Sequence, residues 1–127
     1  MPKTVLDVGN CVPDHAAIRG MLQANFGAAV LQAHGPDDTL AALAKGGIDL
    51  VLINRKLDQD YSDGIEILRL IKKEERYRRV PVMLITNYPD HQAAAVAEGA
   101  EYGFGKLELS KPETRERLSR VLNAVGG

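Results

Sequence analysis

The stretch Asp49-Leu50-Val51-Leu52-Ile53-Asn54 decides the fold of this chain. Its apolar core ends at a polar side chain, and a polar loop then leads to Asp63-Gly64, which opens a helical pattern. Short continuous apolar runs are typical of strands buried on both faces, as in parallel sheets covered by helices. In such α/β folds, ligands bind at the carboxyl ends of the strands. Asn54 therefore occupies a position where a functional side chain is expected.

The composition is that of one globular domain, which we expect to span residues 1–127. The chain is 45% hydrophobic and 26% charged, with a formal net charge of −1. This charge gives no reason to expect nucleic acid or an anionic membrane as a partner, and no apolar stretch approaches the ~20 residues that cross a bilayer. With Cys11 as the single cysteine, no intramolecular disulfide is possible. A reducing, cytoplasmic compartment is therefore expected.

Strand-like and helix-like segments alternate along the whole chain. Five apolar runs predict strands at residues 5–8, 28–33, 50–53, 80–86 and 102–106. Helical spacing is found at residues 18–26, 36–45, 64–75 and 91–98, and the capping-box pattern Ser110-Lys-Pro-Glu113 opens a last helix. This alternation predicts a flavodoxin-like (βα)5 fold, a doubly wound parallel sheet with strand order 2-1-3-4-5. The loops after Val8 and Ile53 should then lie side by side.

Several motifs follow one another in a characteristic order. They are Asp49-Leu-Val-Leu-Ile, Asp63-Gly64-Ile-Glu-Ile-Leu, Val80-Pro-Val-Met-Leu-Ile-Thr86, and Glu98-Gly-Ala-Glu-Tyr followed by Lys106. No single string is specific. Their order and spacing together resemble the receiver domain of bacterial two-component response regulators over nearly the whole chain.

This resemblance implies a particular set of site residues. The family has a phosphoacceptor aspartate at the end of the third strand and two acidic residues after the first strand that help hold Mg²⁺. At these positions the present chain has Asn54, Gly9 and Asn10. The family's Thr or Ser and its Lys, which contact the phosphoryl group, correspond to Thr86 and Lys106, which keep the residue types.

The substitutions remove the chemistry that phosphorylation requires. An amide is not a carboxylate nucleophile, and Mg²⁺ requires hard oxygen ligands, usually carboxylates. We therefore expect no catalytic activity, no cofactor and no bound metal at Asn54, Gly9 and Asn10. The resemblance then implies a pseudo-receiver, a protein–protein interaction module that acts without phosphorylation in a two-component or phosphorelay pathway.

The family commonly uses its fourth helix, fifth strand and fifth helix as an output and dimer surface. The residues expected on the corresponding face of this chain are His91, Glu98, Tyr102, Phe104, Glu113, Arg117 and Arg120. Their mixed charges suit charge-matched pairing with a signalling protein or with a second copy of the chain. The family's fifth-strand aromatic corresponds to Gly103, which Tyr102 or Phe104 would replace after a one-residue shift.

Two alternatives remain open. In the first, Asp58, Asp60 or Asp7 is a substitute phosphoacceptor; in the second, the emptied pocket binds a small molecule. The same three aspartates are the candidate partners of Lys106, which needs an acidic neighbour if it is buried. Cys11, at the start of the first helix, is expected to be a small buried residue.

Overall fold

The computed structural model describes residues 2–123, in which strands and helices alternate as the sequence predicts. The strands are β1 Thr4–Val8, β2 Ala29–Ala33, β3 Leu50–Asn54, β4 Val82–Ile85 and β5 Glu101–Phe104. The helices are α1 Val12–Phe26, α2 Pro36–Ala44, α3 Ile65–Lys73, α4 Pro89–Ala97 and α5 Pro112–Leu122. A short 3-10 turn, Lys106–Glu108, precedes α5.

All five strands are parallel, and their order is β2-β1-β3-β4-β5, which confirms the predicted flavodoxin-like topology. Val8 of β1 is level with Ile53 of β3. Gly9 and Asn54 therefore follow at the same carboxyl edge of the sheet, and the loops after β1 and β3 are neighbours. This edge contains the candidate site.

The two faces of the sheet bury separate apolar layers. Because side chains alternate along a strand, Val51 and Ile53 join the layer that contains Ile67 of α3, whereas Leu50 and Leu52 join the layer that contains Ile18 of α1. Each fully buried aliphatic side chain contributes about 1.5–3 kcal/mol to folding. The apolar run of β3 thus fixes the position of Asn54 at its end.

The start of α5 differs from the prediction. Lys111, not Ser110, is the N-cap, and it makes no side-chain cap hydrogen bond. The helix thus starts one residue later than predicted, and Thr114 Oγ1 donates to the Glu108 carbonyl at 2.7 Å. Pro112 in the first turn is confirmed.

Candidate functional site

Asn54 connects the two loops at the carboxyl edge. Its Nδ2 donates to the Gly9 carbonyl at 3.2 Å and to the Lys56 carbonyl at 2.6 Å. An ionised carboxylate has no proton to donate and would repel both carbonyl oxygens. The amide at this position therefore acts as a clamp between the loops after β1 and β3.

Gly9 has a backbone conformation and a neighbour that disfavour a larger side chain. Its φ is +77°, a conformation that favours glycine, and a Cβ added there would lie 2.5 Å from Leu57 Cδ2. Leu57 is itself buried, with 2% of its surface exposed, and the next residue, Asp58, donates its N–H to the Gly9 carbonyl at 3.0 Å. The volume that an acidic side chain would need at position 9 is filled by an apolar one.

Asn10 faces a buried carboxylate inside the sheet. Its Nδ2 donates to Asp7 Oδ1 at 2.6 Å, and His15 Nδ1 lies 2.6 Å from Asp7 Oδ2. Asp7 and Asn10 are both fully buried, and burial raises the pKa of Asp7, although the hydrogen bonds from His15 and Asn10 oppose this rise. Among residues 2–123, Asn10 Oδ1 is a buried side-chain oxygen without a protein partner. These three residues form a polar cluster beneath α1.

Sequence reasoning missed His15 as a member of this cluster. The clue in the sequence was Asp7, because a buried aspartate inside an apolar strand requires a hydrogen-bond donor nearby. His15 begins the second turn of α1, the helix packed over β1 and β2. The separation of eight residues across a strand, a loop and a helix is not a recognisable motif.

Lys106 pairs with Asp14 in the first turn of α1, not with Asp58, Asp60 or Asp7 as predicted. The Nζ–Oδ2 distance is 2.7 Å, and about one third of the Lys106 side chain is exposed. The hydrogen bond from Lys106 lowers the pKa of Asp14. The predicted partners are engaged elsewhere: Asp58 lies 3.3 Å from His34, and Asp60 accepts from Ser62. Lys106 is thus tied to the first turn of α1.

Cys11 is exposed, so the prediction that it is buried is wrong. It is the N-cap residue of α1 and has an extended backbone. The Sγ donates to Asp14 Oδ2 at 3.2 Å. Asp14 therefore accepts from both Cys11 and Lys106.

Thr86 is bound to the start of α4. Its Oγ1 lies 3.2 Å from His91 Nδ1 and accepts from the Tyr88 N–H at 3.3 Å. The Thr86 N–H donates to the Phe104 carbonyl at 3.0 Å. The hydroxyl is thus already engaged by two groups of the chain.

Gln92, which sequence reasoning missed, ties α4 to two strands. It is buried, and its Nε2 donates to the Leu84 carbonyl at 3.0 Å while its Oε1 accepts from the Gly103 N–H at 2.8 Å. A Cβ added at Gly103 would lie 2.4 Å from the Leu84 oxygen, so no aromatic side chain fits at this position. One buried amide therefore links α4, β4 and β5.

The predicted interaction face is narrower in the structure. Phe104 is fully buried and contacts no solvent, Glu98 pairs with Arg69 of α3, and His91 is turned toward Thr86. Tyr102, Glu113 and Arg120 are exposed, and His91, Glu98 and Arg117 are partly exposed. Arg117 Cζ lies 4.5 Å from the centre of the Tyr102 ring, and its Nη1 donates to the Gly103 carbonyl.

The donor set at the carboxyl edge does not suit Mg²⁺. The positions at which the resemblance implied acidic ligands hold a glycine and two amides, and one of these amides binds loop carbonyls while the other binds Asp7. Within residues 2–123, no group of three or more His, Cys, Asp and Glu side chains is arranged to hold a metal. The residues present therefore do not fit the family's metal.

In the part of the chain described, helices are too short or too polar to span a bilayer.

Known proteins resemble this chain in fold and sequence. The receiver domain of NtrX from Brucella abortus is 27% identical, with 94% of this chain and 95% of that chain covered and a TM-score of 0.71. A longer NtrX structure from the same organism is 26% identical over 99% of this chain, with a TM-score of 0.74, and this chain spans 28% of its length.

More distant structures show the same fold. The receiver domain of the sensor histidine kinase PA1611 from Pseudomonas aeruginosa, solved with a magnesium ion in its active site cleft, is 22% identical, with both chains covered in full and a TM-score of 0.72. The chemotaxis response regulator CheY4 of Vibrio cholerae is 22% identical over 98% of this chain and 99% of that one, with a TM-score of 0.70. Among curated proteins, none matches the sequence significantly.

The sequence model of the response regulator receiver domain matches residues 11–123, which is most of the chain. The strand order agrees with this match. The chain therefore belongs to the response regulator receiver domain family of two-component systems.

Proposed function

We propose that this receiver is a pseudo-receiver, a cytoplasmic protein-binding module that acts without aspartyl phosphorylation and without catalytic activity. The observation that carries the proposal is the pair of hydrogen bonds from Asn54 Nδ2 to the Gly9 and Lys56 carbonyls. Through these bonds, the side chain at position 54 holds the loops after β1 and β3 together. A phosphoryl group would need a nucleophile there and positive charge beside it.

The surrounding contacts support a single conformation. Leu57 fills the space beside Gly9, Lys106 is paired with Asp14, and the Thr86 hydroxyl is bound near α4. A ligand shifts a conformational equilibrium only through different affinities for the two states. Because an amide at position 54 accepts no phosphoryl group, phosphorylation at this position cannot bias such an equilibrium.

The partner-binding surface that we propose is the α4–β5–α5 face, formed by Tyr102, Glu113, Arg117 and Arg120. Its centre is Tyr102, 42% exposed and covered on one side by Arg117. Tyrosine and arginine are the residues most often responsible for binding energy at protein interfaces. Gln92 holds β5 against α4, so the face is presented with fixed geometry. A signalling protein is the primary occupant, and a second copy is the alternative.

Affinity capture from the source cells tests this proposal. We expect the wild-type chain to retain a partner equally well with and without Mg²⁺ and a small phosphodonor, and Arg117→Glu to lose it. Arg76→Glu is a matched control, because Arg76 also lies over a tyrosine ring, that of Tyr77, at 4.9 Å. Retention that depends on the phosphodonor, or equal loss in both variants, would contradict the proposal.

Phosphorylation of a substitute aspartate has weaker support than the pseudo-receiver proposal. Asp7 is fully buried and held by Asn10 and His15, so it is inaccessible to a donor. Asp60 is engaged with Ser62, which leaves Asp58 as the aspartate to examine first.

The small-molecule alternative has weaker support as well, because the cavity that residues 2–123 form beside the site is small. A cavity of ≈ 100 Å³ lined by Arg55, Asp63 and His91, among others, lies beside the β3–α3 loop. Ligand pockets usually measure about 300–1,000 Å³. This cavity is too small for a typical metabolite.

A further inference from the structure

The edge strand β2 is unusually open. Within residues 2–123 it has β1 as its one neighbouring strand, and its sequence Ala-Val-Leu-Gln-Ala has no charged residue and no proline. Its pairing with β1 is regular over all five residues, and Leu31 is 48% exposed. Edge strands expose unpaired backbone groups, and proteins usually protect them with charges, prolines or bulges. β2 has none of these protections.

The opposite edge strand, β5, is protected in three ways. It begins with the charged Glu101, and its pairing with β4 is irregular near Gly103. The Gly103 N–H donates to Gln92, and its carbonyl accepts from Arg117. The openness of β2 is therefore not a general property of this sheet.

The backbone of β2 offers a defined set of hydrogen-bonding groups. The Ala29 N–H donates to the Lys3 carbonyl, and the Ala33 carbonyl accepts from Gly9, so these residues face β1. In a strand, alternate residues direct their backbone groups to opposite sides. Val30 and Gln32 therefore direct their N–H and C=O groups away from the sheet, where another strand would meet them.

The surface around Leu31 carries charges that would match those of a second copy of the chain. A cavity of ≈ 370 Å³ next to β2 is lined by Leu31, Leu6 and Ile48, among others, and also by Asp38 and Lys45. Asp38 lies in the first turn of α2, and Lys45 follows its last turn. A twofold axis through Leu31 would reverse α2 in the second copy and bring each Asp38 toward the Lys45 of the other copy. Such matching of charges is what an isologous interface requires.

We propose that two copies of this chain associate through antiparallel pairing of β2 with β2, centred on Leu31. Val30 of each copy pairs with Gln32 of the other, and the sheet continues across the interface. Leu31 then faces Leu31 in a non-hydrogen-bonded pair, with Cα atoms about 4.5 Å apart, and the two side chains cover the neighbouring cavities. The α4–β5–α5 face remains free on both copies.

Site-directed crosslinking tests the register. In a Cys11→Ser background, Leu31→Cys should form an intermolecular disulfide under mild oxidation, because a disulfide requires Cα atoms about 4.4–6.8 Å apart. Ala29→Cys is the matched control, on the same exposed strand. Its two copies would be about 14 Å apart at ~3.4 Å per residue, so it should not crosslink. Equal crosslinking of both variants, or none in either, would overturn the proposed pairing.

Sedimentation velocity over a concentration series tests the assembly without a cysteine. We expect a reversible monomer–dimer equilibrium for the full chain that Leu31→Lys abolishes and Tyr102→Lys leaves unchanged. The two positions have similar exposure, 48% and 42%, on the two opposite edge strands. A wild-type chain that stays monomeric up to its solubility limit would refute the proposal. So would a dimer that Tyr102→Lys, and not Leu31→Lys, dissociates.

Discussion

Replacement of Asn54 by the family's aspartate should destabilise the folded state of this protein. Asn54→Asp removes the two hydrogen bonds that Nδ2 donates to Gly9 and Lys56 and brings a negative charge close to both carbonyl oxygens. Each such bond contributes about 0.5–1.5 kcal/mol net. The free energy of unfolding should therefore fall by about 1–3 kcal/mol at pH 7. The loss should shrink in acid, because a protonated carboxyl regains one donor.

Urea unfolding at pH 7 and at pH 4 measures this effect. Asn87→Asp is the matched control, because Asn87 Oδ1 accepts a hydrogen bond from the Leu107 N–H at 3.2 Å, and a carboxylate accepts equally well. The control should change the unfolding free energy by less than about 0.5 kcal/mol, as exposed substitutions usually do. An Asn54→Asp protein as stable as the wild type, or one that binds Mg²⁺ tightly, would refute the clamp and the loss of the metal site.

Other substitutions test the remaining contacts. Gln92→Leu should lower the free energy of unfolding by about 1–3 kcal/mol, because it leaves the buried Gly103 N–H unsatisfied. Chemical unfolding measures this loss, and an unchanged unfolding midpoint would contradict the role of Gln92 as a bridge between α4 and β5. Lys106→Met should raise the pKa of Asp14, whose main lowering cause is the hydrogen bond from Lys106, and carboxyl NMR titration would show whether it does. Asp7 has a raised pKa, so it binds a proton more tightly in the folded than in the unfolded chain. Its contribution to the free energy of unfolding is therefore fully present below pH 3.8, the ordinary pKa of aspartate, and is lost as the pH rises through the raised pKa. The stability of the wild type relative to Asp7→Asn should therefore decrease with rising pH in this window, and an increase would contradict the assignment.

The fold was predictable because it follows from local patterns. The apolar run Leu50–Asn54 is buried as a central strand, and its neighbours follow the same alternation. The polar end of β3 and the loop after β1 meet because parallel strands align their carboxyl ends. The proximity of Asn54 and Gly9 could therefore be predicted from the strand order alone.

The partners of the polar side chains were not predictable in the same way. Lys106 and Asp14 are 92 residues apart in sequence, and their contact depends on how the β5–α5 loop meets α1. Cys11 is exposed at the N-cap position of α1, which a hydrophobicity scale does not capture. Gln92 lies on a helix with no motif around it, and its buried amide bridges the Leu84 carbonyl and the Gly103 N–H. Tertiary geometry decided these contacts.

Intact-protein mass spectrometry after incubation with Mg²⁺ and a small phosphodonor tests the central claim most directly. The account predicts that the wild-type chain gains no stable phosphoryl group, and that Asn54→Asp alone gains none either, because Gly9 and Asn10 supply no carboxylate for the metal. A stoichiometric increase by the mass of one phosphoryl group, abolished by substituting Asp58, Asp60 or Asp7, would contradict it.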